Sequence, residues 1–145
     1  MSVSTILASK GEAAPSSLVT VEPATSVSDA VSLMSKNRIG AVLVMENEAV
    51  RGILSERDVM HLIAREGAGA LDKPVSEAMT KKLVTCTRSD TVDHAMSVMT
   101  QGRFRHLPVM DGDRVLGMIS IGDVVKRKIE DAEHEVEDLK GYIAS

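Results

Sequence analysis

Apolar residues recur at helical spacing at Val27, Ala30, Val31 and Met34, and again at Val92, Ala95, Met96 and Met99. Each set predicts an amphipathic helix with one buried stripe. Ser26 and Thr91 stand just ahead of these stripes, where a side-chain oxygen can accept from the first free amides of a helix. Residues 41–45 and 107–110 are apolar runs that suit buried strands. The polar turns Glu46-Asn47-Glu48 and Asp111-Gly112-Asp113 join them to further strands over 50–54 and 115–119, as in hairpins. Shorter β-rich runs fill 18–21 and 83–86, and second helices begin near Ser55 and Ser120. Each half therefore reads strand, helix, strand, turn, strand, helix.

The halves are copies. A displacement of 65 positions lays residues 18–60 onto 83–125 without a gap, and 15 of the 43 pairs are identical. Sequences of ordinary composition agree by chance at about 5–7% of positions, so the chain holds a duplication. Residues 3–7 resemble 75–79 as a short lead-in to each copy, and residues 12–17, with Pro15, are an extra stretch in the first. Gly67, Gly69 and Pro74 mark a linker. The division this gives is a first repeat with its lead-in at 1–66, a linker at 67–74, a second repeat at 75–130 and a helical extension at 131–145. A unit of about 60 residues with one apolar sheet face is marginal alone. The expectation is an α+β globule made of two repeats packed face to face about a pseudo-two-fold axis.

Composition narrows the function. At 145 residues, 43% hydrophobic and 26% charged, the chain is an ordinary globular one. Its longest apolar stretch, residues 39–45, is far too short to span a bilayer, and no secretory signal opens the sequence. A cytoplasmic protein with no membrane partner is expected. A net charge of −4 argues against binding a phosphate backbone. Phe104 and Tyr142 are the only aromatic residues, too few to stack single-stranded bases. Cys86, the single cysteine, excludes an internal disulfide and a zinc site built on paired thiolates, and reads as a small buried hydrophobe. His61, His94, His106 and His134 lack metal-ligand spacing. Lys126-Arg127-Lys128 reads as a solvated helix face. With no catalytic base, nucleophile or metal set, neither an enzyme nor a catalytic cofactor is expected.

One motif occurs at the same place in both copies: Gly52-Ile53-Leu54-Ser55-Glu56-Arg57-Asp58 and Gly117-Met118-Ile119-Ser120-Ile121-Gly122-Asp123. It falls where a strand ends and a helix begins. Glycine permits close approach of a ligand or another backbone. A helix start offers free amides to a phosphate. An ionised aspartate only accepts hydrogen bonds, which suits the paired hydroxyls of a ribose. The same Ser-x-x-Asp spacing also makes a capping box, with no ligand required. Spacing alone favours the cap.

The twofold unit, both glycine–serine–aspartate motifs, the segment Arg38-Ile39-Gly40-Ala41-Val42-Leu43-Val44 and its counterpart Arg103-Phe104-Arg105-His106-Leu107-Pro108-Val109 together resemble the tandem CBS-domain proteins, the Bateman module. The resemblance covers nearly the whole chain. It implies a βαββα half-module in each repeat and a regulatory, non-catalytic role. The implied ligands are adenosine compounds: AMP first, then ATP, ADP or NAD, with S-adenosylmethionine also used in the family. On that pattern Asp58 and Asp123 hold ribose hydroxyls, and Ser55 and Ser120 hold phosphate, with Arg57 beside them. Ile39, Gly40 and Ala41 in one repeat, and Phe104, Arg105 and His106 in the other, wall the adenine. Thr80 and Lys10 are weaker lead-in contacts. The resemblance further implies that a cleft draws on both repeats, Asp58 facing residues 104–106 and Asp123 facing 39–41. It also implies a homodimer and an effector protein whose identity the sequence does not reveal.

Two features break the symmetry. The extra stretch at 12–17 unsettles the first lead-in contact, and Arg105 and His106 stand where the first repeat has Gly40 and Ala41. Unequal occupancy of the two sites is therefore expected. At the far end, Ile129, Ala132, Val136, Leu139 and Ile143 form a heptad-like seam. Packing on the body of the same chain is the default expectation for it, and a dimer contact is the alternative.

Overall fold

The structure is a computed structural model, described here for residues 2–9 and 18–144. Helix α1 spans Val3–Ser9. The first repeat follows as β1 (Thr20–Val21), α2 (Val27–Asn37), β2 (Ala41–Glu46), β3 (Ala49–Ser55) and α3 (Glu56–Glu66). Two short 3-10 turns, Ala68–Asp72 and Val75–Glu77, lead to the second repeat: β4 (Cys86–Thr87), α4 (Val92–Gly102), β5 (His106–Asp111), β6 (Arg114–Ser120) and α5 (Ile121–Ala144). There are two three-stranded sheets, ordered β1-β2-β3 and β4-β5-β6. This is the α+β architecture expected, with the strand–helix–strand–strand–helix unit present twice and a C-terminal helix.

Local chemistry explains the elements. Ser26 and Thr91 cap α2 and α4, accepting from the amides of Asp29 and His94 at 3.0 Å each. Val27, Ala30 and Met34 are buried along α2, as are Val92, Ala95 and Met99 along α4. Both helices end on an arginine in the left-handed region, Arg38 at φ 55° and Arg103 at φ 58°, a place usually given to glycine. β2 and β3 pair antiparallel from Ala41 opposite Ser55 to Glu46 opposite Ala49, with an irregularity at Val44 and Met45. Asn47 and Glu48 close that hairpin with φ of 51° and 67°, the primed turn that two-residue hairpins prefer. β1 and β4 are only two residues long, shorter than the runs at 18–21 and 83–86 implied, and run parallel to β2 and β5.

The described residues fall into two compact units. One holds residues 18–84 and 112–115, the other 2–9, 85–111 and 116–144. In the first, Val27, Ala30, Val42, Val44, Leu54 and Leu62 are at the centre of the core. In the second, Ile6, Ala95, Met99, Leu107, Val109 and Ile119 are buried. Among the described residues no charged or polar side chain is buried. No described helix is long and apolar enough to cross a membrane.

Lead-in and repeat do not share a unit in sequence order. The amide of Val75 bonds Thr25 O at 2.7 Å, and that of Val3 bonds Asp90 O at 2.8 Å. Thr25 and Asp90 are 65 apart, so these are equivalent bonds: the lead-in at 75–80 serves the first repeat and α1 serves the second. The stretch read as a linker also contributes, since Ala70 is buried in the first unit's core. Local spacing recognises a lead-in, but only tertiary packing selects the sheet it joins.

The seam of α5 corrects the default expectation. Ile121 is half-buried and Val124 is buried, but every side chain from 132 to 143 is exposed. Ile129, Val136, Leu139 and Ile143 are 53%, 50%, 60% and 81% exposed, so this stripe does not pack on the body of its own chain. Heptad spacing reports that a stripe exists, not what covers it.

Candidate functional site

Both Ser-x-x-Asp motifs sit at the N-terminus of a helix, reached directly from a strand. In the first unit β3 delivers Ser55 to the start of α3. The Asp58 amide donates to Ser55 Oγ at 3.2 Å, and the Ser55 amide donates to Asp58 Oδ2 at 2.9 Å. Ser55 Oγ also lies 3.0 Å from Asp58 Oδ2, as donor. In the second unit the Asp123 amide donates to Ser120 Oγ at 3.1 Å, and the Ser120 amide to Asp123 Oδ2 at 2.8 Å. The capping alternative is therefore realised in both repeats. Each carboxylate sits within the first turn of a helix, where the macrodipole favours negative charge. Asp58 and Asp123 are half-buried, as are Ser55 and Ser120.

The segment entering the middle strand lies beside its own repeat's motif. The Glu56 amide donates to Gly40 O at 3.0 Å, and the Ile121 amide donates to Arg105 O at 2.8 Å. Two of the first amides of each helix are thus occupied within the chain. A phosphate at this helix end would rely on the serine hydroxyl more than on a full set of free amides.

Thr80 is the residue that the geometry promotes. Its hydroxyl donates to Asp58 Oδ1 at 3.0 Å. The backbone fixes it there, because Ile53 and Thr80 exchange both amide–carbonyl bonds, at 3.0 and 2.9 Å. This close approach is what Gly52 permits: a Cβ at that position would lie 2.8 Å from Thr80 O and 2.7 Å from Met79 Sδ. Gly117 is the counterpart, and a Cβ there would meet Leu7 Cδ2 at 2.9 Å. The motif glycines make room for the lead-ins. In the equivalence of 3–7 with 75–79, Ala8 takes the place of Thr80 and has no hydroxyl to offer. Sequence spacing alone missed the threonine–aspartate pair, because the residues are 22 apart and belong to different repeats in sequence order.

The other candidates differ in exposure. Ile39 packs partly against the first unit's core and Ala41 is buried, so Ala41 can offer a ligand little beyond backbone. Gly40 is half-buried. Arg57 and Arg105 are exposed, and His106 is half-buried at the start of β5. Phe104 is half-buried. Its ring lies over Gly102, where an added Cβ would come within 2.1 Å of Cε2. Lys10 lies outside the described residues. Cys86 is buried, its Sγ 3.7 Å from Pro108 O, and burial pushes its thiol pKa up to about 11. Among the described residues no three histidine, cysteine or carboxylate side chains are grouped to hold a metal ion.

Duplicated sheets, lead-ins seated over paired glycines and a Ser–Asp box at each helix start define a pair of CBS modules, and the chain belongs to the CBS domain family. The family's sequence profile matches residues 12–65 and 75–130. The chain is similar to the mitochondrial CBS domain-containing protein CBSX3 of Arabidopsis thaliana, 36% identical over 97% of this chain and 71% of that protein. It is also similar to the crystal structure of a CBS-domain containing protein from Agrobacterium tumefaciens. That likeness has a TM-score of 0.83 at 43% identity and covers 88% of this chain and 99% of the other. The crystal structure of CBSX2 in complex with AMP superposes with a TM-score of 0.69 at 26% identity, over 79% of this chain and 90% of that one.

Proposed function

We propose that the chain is a non-catalytic regulatory module that binds an adenosine-containing ligand, AMP before ATP, ADP or NAD, beside its Ser–Asp motifs. The observation that carries this reading is the pair Asp58–Thr80 at the start of α3, with Ser55 in the same turn. A carboxylate has about four lone-pair sites, and the contacts from Ser55 and Thr80 leave capacity for a ribose hydroxyl. Ser55 Oγ can turn its proton from Asp58 to a phosphate oxygen. The relative crystallised with AMP supports the choice of nucleotide. At Asp123 the same chemistry operates with Ala8 in place of Thr80 and with the Arg105–His106 segment held beside the helix start by the bond from the Ile121 amide to Arg105 O, so the two sites differ in affinity. Occupancy passes to an effector protein, or to the chain's own association, through a difference in affinity between two arrangements of the molecule.

A second reading is favoured by the completeness of the capping boxes: the motifs hold helices, and the chain is an interaction domain without a ligand. Thermal unfolding with AMP, ADP, ATP, NAD and S-adenosylmethionine separates the two. A ligand at 100 times its dissociation constant stabilises by about 2.7 kcal/mol, which is several degrees for a domain of this size. A melting temperature unmoved by every compound establishes the capping reading instead.

A further inference from the structure

Helix α5 runs for 24 residues. Its beginning is anchored: Val124 is buried, and Lys128 Nζ meets Asp93 Oδ1 of α4 at 2.5 Å. Its end, from 132 to 143, is exposed on every side. The exposed part is not uniformly polar. Val125, Ile129, Ala132, Val136, Leu139 and Ile143 recur at alternating spacings of four and three, the a and d positions of a heptad. Helical segments this short are marginal in water without tertiary packing, and an aliphatic stripe on one marks a surface that another element covers.

We propose that this seam pairs with the same seam of a second molecule of the chain, as a parallel, in-register, two-stranded coiled coil. The flanking charges select the occupant and its direction. With the aliphatic residues at a and d, Lys128 and Glu135 fall at g, and Glu133 and Lys140 at e. In a parallel pair each g position faces the e position five residues further along the other helix. Lys128 then faces Glu133 of the second molecule, and Glu135 faces Lys140. Symmetry makes each attraction twice. The antiparallel pairing that overlaps the whole stripe, Ile129 against Leu139 and Ala132 against Val136, brings Glu133 against Glu133, Glu135 against Glu135 and Lys126 against Lys140, all repulsive. The a positions agree with the charges: Ile129, Val136 and Ile143 are all β-branched, and Leu139 holds d beside Val125 and Ala132 in the turns before it; β-branched a with leucine at d favours two parallel strands. Lys128 is shared with Asp93, so the Glu135–Lys140 pair is the cleaner discriminator. The pairing uses neither Ser–Asp motif and stands apart from the ligand proposal.

The test uses the full chain in sedimentation equilibrium, with circular dichroism as the check on folding. Lys140→Glu is expected to raise the dimer dissociation constant about tenfold, and Glu135→Lys to do the same. The double variant carrying both returns it to within about twofold of the parent. In that antiparallel pair, where Lys140 faces Lys126, Lys140→Glu would tighten association instead, and that result overturns the proposal. Leu139→Cys is expected to form a disulfide-linked dimer under mild oxidation, since parallel register places position 139 opposite itself. A monomer at all concentrations, or a dimer indifferent to all three charge variants in which Leu139→Cys stays reduced, also overturns it, and the seam is then left to a different partner.

Discussion

Thr80 gives its hydroxyl hydrogen to Asp58 across 3.0 Å, tying a lead-in to the helix start of the repeat that precedes it in sequence. One oxygen of Asp58 is thereby fixed by the lead-in and the other by the capping box. Thr80→Val removes a half-buried hydrogen bond to a charged acceptor, and a loss of about 1–2 kcal/mol is expected in urea unfolding. If the aspartate also receives a ribose, the same variant weakens binding at that site and leaves the Asp123 site unchanged in calorimetry. Equal weakening of both would detach Thr80 from the site.

The two motif glycines should not respond alike to alanine. At Gly52 a new Cβ meets the Thr80 carbonyl at 2.8 Å and Met79 Sδ at 2.7 Å. Backbone cannot swing away, and overpacking of this kind costs about 1–3 kcal/mol. At Gly117 the neighbour is the end of the Leu7 side chain, at 2.9 Å. That methyl can move, so Gly117→Ala is expected to cost less. Chemical denaturation of both variants gives the comparison, and a larger loss at Gly117 would reverse the ranking.

The β2–β3 turn holds a local strain. Glu48 sits at φ 67° with no glycine to relieve it, and the left-handed region costs a residue with a Cβ about 1–2 kcal/mol. Glu48→Gly is expected to raise stability by about 0.5–1 kcal/mol, after the extra freedom glycine has in the unfolded chain is subtracted. A fall in the unfolding midpoint would contradict this.

Cys86 should be nearly inert in the folded protein. Burial raises its thiol from the ordinary value of 9.0 to about 11, so at pH 8 roughly one molecule in a thousand carries the reactive thiolate. Labelling by an aromatic disulfide reagent is expected to be slow in buffer and fast in urea. The sign for stability follows from the raised value: the neutral thiol contributes fully below pH 9, and that contribution is lost as the pH climbs towards 11. Rapid labelling in buffer would mean that β4 opens readily.

Much of the fold was legible because its signals are local. Ser26 and Thr91 announce helices through capping chemistry, and the Val27–Met34 stripe repeats faithfully at Val92–Met99. The Ser–Asp boxes were likewise readable from a spacing of three. What the sequence hid is long-range. Nothing in the composition of residues 3–7 or 75–79 says which sheet they join, so the Thr80–Asp58 pair could not be derived. Nor does periodicity distinguish a covered seam from a bare one, and α5 proved bare along its far half. Ile39 and Ala41 show the converse problem, since an apolar segment beside a motif reads equally well as ligand wall or as core.

The sugar hydroxyls give the sharpest single test of nucleotide binding. Titration calorimetry of the parent chain with AMP and with its 2′,3′-dideoxy analogue compares ligands that differ only in the groups given to Asp58 and Asp123. AMP is expected to bind and the dideoxy compound to bind at least tenfold more weakly. Equal affinity for the two, or no heat from either, would contradict a ribose-gripping role for both aspartates.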